Sequence, residues 1–260
     1  MFKLSSKGKE TVLHSFTGGA DGKYPASDLI FDANGNLYGT TYAGGGSGAG
    51  VVFKLSSKGK ETVLHSFTGR ADGGGPGEGL IFDTKENLYG TTHDGGAYGN
   101  GVVFRVTSKG KETVLHSFTG EDGARPNAGL IFDAKENLYG TTDAGGGYGN
   151  GVVFKVSSKG KETVLHSFTG EDGADPYARL IFDAKGNLYG TTYDGGAYGG
   201  GVVFKLSSKG KETVLYSFTP KTSGGAYPYV GLIFDANGNL YGTTAFADSD
   251  TYGVVFKLTP

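Results

Sequence analysis

The chain has 260 residues, of which 50 are glycine and none is cysteine, and its formal net charge is −2. A charge this close to neutral gives no basic surface for nucleic acid, and the lack of cysteine excludes disulfides and thiol chemistry. No run of 18 apolar residues occurs, and residues 1–3 lead straight into a repeat, so the sequence predicts neither a membrane-spanning helix nor a signal peptide.

The predicted elements begin with a short apolar run at residues 2–4, a turn at 5–9 and a strand at 11–16. Two more runs follow at residues 29–31 and 37–41, and similar motifs return until residues 254–258 end the chain. The Phe of a Val-Val-Phe triplet marks the period, at Phe53, Phe104, Phe154, Phe204 and Phe256. A repeat of about fifty residues indicates a solenoid, a propeller or another array.

Each repeat contains four short apolar runs, which in the third copy are residues 102–106, 113–118, 130–132 and 138–142. They are rich in β-branched and aromatic residues, as strands are. Turn sequences separate them, among them Asp-Ala-Asn-Gly-Asn at residues 32–36, where Asn-Gly between apolar runs is a strong hairpin signal. Because no helical period is sustained and glycine is abundant, the sequence predicts an all-β chain.

Four antiparallel strands in each of five repeats predict a five-bladed β-propeller, as a single domain over residues 1–260. The nearly continuous apolar runs favour sheets buried on both faces; a β-solenoid is the alternative, although its repeats are usually shorter. Residues 232–258 would supply three strands of the fifth blade and residues 11–16 its outer strand. Pairing of residues 11–16 with 254–258 would then close the ring, with the C-terminal copy preferred over residues 2–4.

The motifs NLYGTT, GVVFKL, VLHSFTG and LIFDANGN resemble the tandem repeat of bacterial GloVer-type proteins over essentially the whole chain. The segment from Asp32 to Tyr38 is also similar to the hairpin of NHL-type propeller blades. These resemblances imply a propeller and a secreted or cell-surface setting, and they imply no catalytic residues. The stretch SKGKETVL is identical in all five copies, which indicates recent amplification or a consensus or engineered sequence.

Differences between the copies are concentrated in two connections, one after the LYGTT strand and one around a loop proline. In a propeller of this strand order both connections lie on one face, and loops on a rigid scaffold are where recognition is usually built. The alternative is that these loops vary because nothing constrains them. The predicted ligand-binding residues are Tyr24, Asp28, Tyr42, His93, Asp94, Arg125, Asn127, Asp143, Asp175, Tyr177, Tyr193, Asp194, Tyr227 and Tyr229.

Carboxylates are plentiful on the variable face, and five-bladed glycosidases use acids in pairs, but no spacing singles out a pair. The sequence therefore predicts no catalytic residue and a chain that is not an enzyme. Four histidines recur with the repeat and lie too far apart to share one metal, so they are interpreted as structural: His14, His65, His116 and His166. No metal site and no cofactor is predicted.

Two functions remain open at this point. Tyrosine faces could stack on sugar rings while carboxylates and amides bind hydroxyls, which predicts a lectin-like module for glycans or another small ligand. A structural or engineered scaffold without a small ligand is the alternative, and a polysaccharide-acting hydrolase is a distant third. The chain is expected to be a monomer that binds no nucleic acid and inserts into no membrane.

Overall fold

A computed structural model describes residues 1–220, 224–247 and 252–260. The described residues form strands, turns and bends, which confirms the all-β prediction. No helix able to cross a membrane occurs among them. The chain divides into two compact units, residues 1–117 and 118–260, and each is described by itself. The single-domain organisation stays a prediction.

The first unit contains a hairpin and two four-stranded antiparallel sheets. The hairpin consists of β1 (Phe2–Leu4) and β2 (Glu10–Val12). The first four-stranded sheet is formed by β3 (Ile30–Phe31), β4 (Leu37–Thr41), β5 (Val51–Leu55) and β6 (Glu61–Ser66). The second is formed by β7 (Ile81–Phe82), β8 (Leu88–Thr92), β9 (Val102–Val106) and β10 (Glu112–Ser117).

The second unit contains two further four-stranded sheets and a three-stranded one within the described residues. The first comprises β11 (Ile131–Phe132), β12 (Leu138–Thr142), β13 (Val152–Val156) and β14 (Glu162–Ser167). The next comprises β15 (Ile181–Phe182), β16 (Leu188–Thr192), β17 (Val202–Leu206) and β18 (Glu212–Ser217). The last comprises β19 (Ile233–Phe234), β20 (Leu240–Thr243) and β21 (Val255–Leu258). The prediction that each repeat forms an antiparallel sheet, with its strands neighbouring one another in chain order, is confirmed.

The N-terminal hairpin differs from the predicted closure. β2 pairs with β1, with Phe2 opposite Val12, and the strand pairs of the described residues do not confirm the predicted pairing of residues 11–16 with 254–258. Residues 2–4 also take the place that the C-terminal copy was expected to fill. The reason is loop-closure entropy, because five residues join β1 to β2 whereas the predicted pair lies at opposite ends of the chain.

A glycine in each LYGTT strand makes room for a phenylalanine ring. Gly190 lies opposite Phe204 on the neighbouring strand, and a Cβ at Gly190 would lie 2.7 Å from Phe204 Cζ and 2.8 Å from Leu180 Cδ2. Because protein interiors are close-packed, neither the Phe204 ring nor the Leu180 side chain could move away from an added methyl group without disturbing the residues packed around it. Gly39, Gly90, Gly140 and Gly242 are crowded in the same way.

Aromatic pairs join neighbouring sheets within each unit. Phe67, which follows β6, meets Phe104 of β9 edge to face at 5.0 Å, and Tyr38 of β4 meets Phe82 of β7 at 5.1 Å. Each such pair contributes about 0.5–1.5 kcal/mol beyond the area that it buries. The second unit repeats both contacts, in Phe168–Phe204 and Tyr189–Phe234.

The nearly constant turn after each Ile-Phe strand is held by its aspartate. Asp183 Oδ1 accepts hydrogen bonds from the backbone N–H groups of Lys185 and Asn187, at 2.8 and 2.9 Å. Its Oδ2 accepts from the Asn187 side-chain amide at 2.7 Å and from the Tyr189 hydroxyl at 3.2 Å. Burial acts to raise the pKa of Asp183, but these hydrogen bonds outweigh it and leave the pKa lowered. Since Tyr189 also contacts Phe234 of the next sheet, the turn and the packing between sheets depend on each other.

Gly190→Ala should lower the free energy of unfolding by about 1–3 kcal/mol, because the added methyl group overpacks the space beside Phe204. Gly147→Ala is the matched control: Gly147 is exposed, and an added Cβ would be 3.8 Å from its nearest neighbour, Ser167 Oγ. Urea unfolding of both variants measures the difference. Equal loss in the two would contradict the described packing.

Candidate functional site

The two variable connections lie side by side within each unit. In one repeat, the Tyr193 backbone N–H donates to the Asp175 carbonyl at 2.9 Å, which joins the connection after β16 to the proline loop. Between neighbouring repeats, the Tyr193 ring stacks on the Tyr227 ring with centroids 5.1 Å apart. Residues from three variable stretches of sequence therefore meet.

The residue before the loop proline has a left-handed backbone in every copy. Their φ angles are 58° at Tyr24, 64° at Gly75, 54° at Arg125, 54° at Asp175 and 60° at Tyr227. For a residue with a side chain this conformation costs about 1–2 kcal/mol. It is fixed from both sides, since the Tyr227 N–H donates to Gly200 O and the Tyr227 carbonyl accepts from the Ala245 N–H. Strain of this kind is found preferentially at functional sites.

The predicted ligand-binding residues are divided between the two units. Those in the first unit are Tyr24, Asp28, Tyr42, His93 and Asp94; those in the second are Arg125, Asn127, Asp143, Asp175, Tyr177, Tyr193, Asp194, Tyr227 and Tyr229. Their role in binding stays a prediction.

In the first unit, Tyr42 and Asp94 both lie against Gly75, where an added Cβ would be 3.1 Å from Tyr42 Cε2 and 3.5 Å from Asp94 Oδ2. His93 Nδ1 lies 2.8 Å from Asp94 Oδ1. Tyr24 is 60% exposed, and Lys23 Nζ lies 4.6 Å from the centroid of its ring.

Glu78 in the first unit was counted among the carboxylates of the variable face but left out of the predicted ligand-binding residues. Burial raises the pKa of Glu78 to about 7, and the charge of Asp28 adds to the shift. A carboxyl group that titrates near neutrality can both donate and accept protons at physiological pH. A signal was available, because the other four copies carry a small or apolar residue at this position: Ser27, Ala128, Ala178 and Val230.

Four tyrosines in the second unit form one aromatic group, here called the tyrosine cluster: Tyr177, Tyr193, Tyr227 and Tyr229. Tyr177 and Tyr229 lie 5.2 Å apart at an interplanar angle of 30°. The Tyr193 ring meets Tyr177 at 5.8 Å and Tyr229 at 6.1 Å, both edge to face. Tyr229 is 57% exposed, so the cluster presents a ring to solvent. Phe246, which the sequence interpretation left out, extends the cluster by contacting Tyr227 at 5.9 Å.

A polar group lies next to the tyrosine cluster. The buried carboxylate of Asp143 accepts hydrogen bonds from Arg125 Nε at 3.0 Å and Asn127 Nδ2 at 2.9 Å. Burial raises the pKa of Asp175; the charges of Asp194 and Asp143 add to that shift and Arg125 opposes it. Burial also raises the pKa of Tyr177 to about 12, with the charges of Asp143 and Asp175 contributing. Aromatic faces and desolvated acids thus occupy one region.

Repeated four-stranded antiparallel sheets with variable loops define a propeller-like repeat protein. The sequence matches the Gloeobacter/Verrucomicrobia repeat over residues 1–168 and 98–260, and the chain belongs to this family. The resemblance drawn from the sequence motifs is thereby confirmed. A search of curated proteins gave no match.

Several solved structures share the fold. A gluconolactonase from Xanthomonas campestris is 16% identical, with a TM-score of 0.55 over 93% of this chain and 78% of that one. A Bacteroides uniformis protein assigned as a 6-phosphogluconolactonase is 15% identical, with a TM-score of 0.58 over 98% and 76%. A luciferin-regenerating enzyme is 16% identical, with a TM-score of 0.53 over 92% of both chains. At these identities the likeness shows the propeller-like fold alone.

The comparison corrects the prediction that the chain is not an enzyme to this extent: structures that share its fold are named as enzymes, so the prediction has no support from the fold. The prediction rested on the absence of a telling carboxylate spacing. Spacing along the sequence could not show that Asp28 and Glu78 interact, since they come from successive repeats and approach each other only in the folded chain.

Glu78→Gln should change how stability depends on pH. The folded-state pKa is raised to about 7, so the contribution of Glu78 is fully present below its unfolded pKa of about 4.5 and is lost as the pH rises through 7. The difference in free energy of unfolding between the variant and wild type should therefore shift in favour of the variant by on the order of 2 kcal/mol between pH 4 and pH 8. Urea unfolding at both pH values checks this, with the exposed Glu121→Gln as control. A gain independent of pH would contradict the described burial.

Proposed function

We propose that the tyrosine cluster binds a polyhydroxylated ring, either a sugar unit of a glycan or a sugar lactone. The observation that carries this proposal is the contact of four tyrosine rings beside the Asp143 carboxylate, which Arg125 and Asn127 hold in place. A lectin-like module for carbohydrate is the function that this geometry supports best.

The chemistry of the two groups is complementary to a sugar. The C–H face of a pyranose ring is apolar and stacks on an aromatic face, and Tyr229 offers such a face to solvent. Sugar hydroxyls donate to carboxylates and accept from N–H groups, both of which the Arg125–Asp143–Asn127 group contains. Rigid tyrosines lose little conformational entropy on binding, which favours them as recognition residues.

Replacing Tyr177 and Tyr229 together by alanine should weaken binding at least tenfold, because aromatic side chains that become buried in the complex dominate recognition energy. Calorimetric titrations with glucose, N-acetylglucosamine, galactose and glucono-1,5-lactone would measure this. Tyr148→Ala is the control, since Tyr148 is 66% exposed on another loop. If wild type binds none of these compounds, the scaffold interpretation gains and the proposal fails.

A second candidate is hydrolysis of a sugar lactone at the same place, which the raised pKa of Asp175 favours. Asp175 would take a proton from water as the water oxygen attacks the lactone carbonyl carbon. The bond between that carbon and the ring oxygen then breaks, and Asp175 returns the proton to the ring oxygen. The product is the open-chain acid, and Arg125 can offset the negative charge that develops in the transition state.

Asp175→Asn should lower the rate of glucono-1,5-lactone opening about 100-fold, since the amide cannot accept the proton. The rate of the wild type should rise with pH as Asp175 loses its proton. A pH-indicator assay measures acid release above the spontaneous rate, with Glu121→Gln as the matched loss of a carboxylate. A wild-type rate equal to that of buffer rejects hydrolysis and leaves the binding proposal standing.

The repeated sheets also support a proposal about the number of blades. Five Ile-Phe strands each begin a sheet of three or four strands: β3, β7, β11, β15 and β19. We propose that these sheets are the five blades of one propeller. An experimental density map with another number of blades would contradict this.

A further inference from the structure

The recurring histidines have partners that the sequence interpretation did not consider. His166 lies on β14, Asp172 lies six residues further along, and Glu212 begins β18 in the neighbouring sheet. His166 Nε2 is 2.9 Å from Asp172 Oδ2. One ligand atom from each of the three side chains lies within 4.8 Å of the others. No two histidines need to share a metal, because carboxylates supply the other donors.

Glu212 lacks a partner for one buried oxygen. Among the described residues, its Oε1 is buried and makes no hydrogen bond, and the Oε1 atoms of Glu61, Glu112 and Glu162 recur in the same condition. An unpaired buried polar atom is unfavourable, and a charged one is more so. A cation between the Asp172 and Glu212 carboxylates would give this oxygen a partner.

We propose that His166, Asp172 and Glu212 bind a divalent transition-metal ion of the zinc class. Imidazole with carboxylates suits zinc better than magnesium or calcium, and three protein ligands leave a fourth position for water. In a tetrahedral site with bonds of about 2.0–2.1 Å, ligand atoms lie about 3.4 Å apart. The ligand atoms, which lie within 4.8 Å of one another, therefore need to approach by at most about 1.4 Å, whereas His166 and Asp172, already 2.9 Å apart, separate slightly.

Two of the three ligands are already oriented. Asp172 Oδ1 accepts hydrogen bonds from the Thr169 backbone N–H at 2.8 Å and from its hydroxyl at 2.9 Å, which leaves Oδ2 directed at His166. The His166 ring packs edge to face on Phe168 at 4.8 Å. Supporting contacts of this kind raise metal affinity by fixing ligand geometry. Because the ligands come from the outer strands of neighbouring sheets, the bound ion would join β14 to β18.

The last repeat lacks the proposed metal ligands at the equivalent positions. In the last repeat, Tyr216 occupies the histidine position, and its ring packs on Phe218 at 4.9 Å, as His166 packs on Phe168. No aspartate lies within eight residues after Tyr216. His166→Tyr therefore copies a residue that this backbone already accepts, and it removes a metal ligand without losing the ring contact.

Zinc binding to the chelator-treated full chain tests the proposal by calorimetry and by metal analysis after dialysis. Relative to wild type, His166→Tyr should bind one zinc equivalent fewer and show a smaller rise of melting temperature with zinc, since ligands stabilise the folded state by mass action. Glu212→Gln, which keeps the side-chain shape, should weaken zinc binding at this site at least tenfold, and it carries the test if His166→Tyr does not fold.

His93→Tyr removes a histidine outside the trio and should leave the equivalent in place. Magnesium should not compete at equal concentration. The proposal is overturned if His166→Tyr and Glu212→Gln both bind zinc with the stoichiometry and affinity of wild type. It is also overturned if the wild-type chain binds no zinc. Neither result bears on the tyrosine cluster, so the proposed function is tested separately.

Discussion

Contact between a phenylalanine ring and a glycine of the neighbouring strand is the constraint on which the sheets depend. The ring of Phe204 occupies the space that a Cβ on Gly190 would need, and the same ring receives the edge of Phe168 from the preceding sheet. One side chain thus fixes both the spacing of two strands and the contact of two sheets. With that contact repeated along the chain, the loops can vary without disturbing the strands that carry them.

The candidate site makes use of this freedom. The left-handed residue before each loop proline takes the same backbone conformation in every repeat, and in four of the five it carries a side chain. Tyr227 and Asp175 occupy this same position in two repeats, with an aromatic ring in one and a carboxylate in the other. The second unit has a cluster of aromatic and acidic side chains around such positions, whereas the first unit places Tyr42 and Asp94 against Gly75 and contains the partly buried Glu78.

The sequence predicted the all-β class, the strands, their order and the repeat family, because these follow from local patterns that recur five times. It also placed Tyr177 and Tyr229 on the variable connections. It could not predict that β2 pairs with β1. Residues 2–4 and residues 254–258 have similar sequences, so the pattern alone does not say which of them pairs with β2. The trio of His166, Asp172 and Glu212 was also beyond its reach, because its members come from two repeats and meet only through the packing of sheets.

The aspartate turn has a consequence for acid sensitivity that comes from its repetition. The pKa values of Asp32, Asp83, Asp133, Asp183 and Asp235 are all lowered, to about 2 at Asp235. Each contributes stability above its unfolded pKa and loses that stability as the pH falls through the folded pKa. Because every one of the five turns takes up a proton more readily in the unfolded chain, the number of protons taken up on unfolding in acid rises with the number of repeats. Resistance to acid should consequently end over a narrow pH interval, as a collective property of the tandem array.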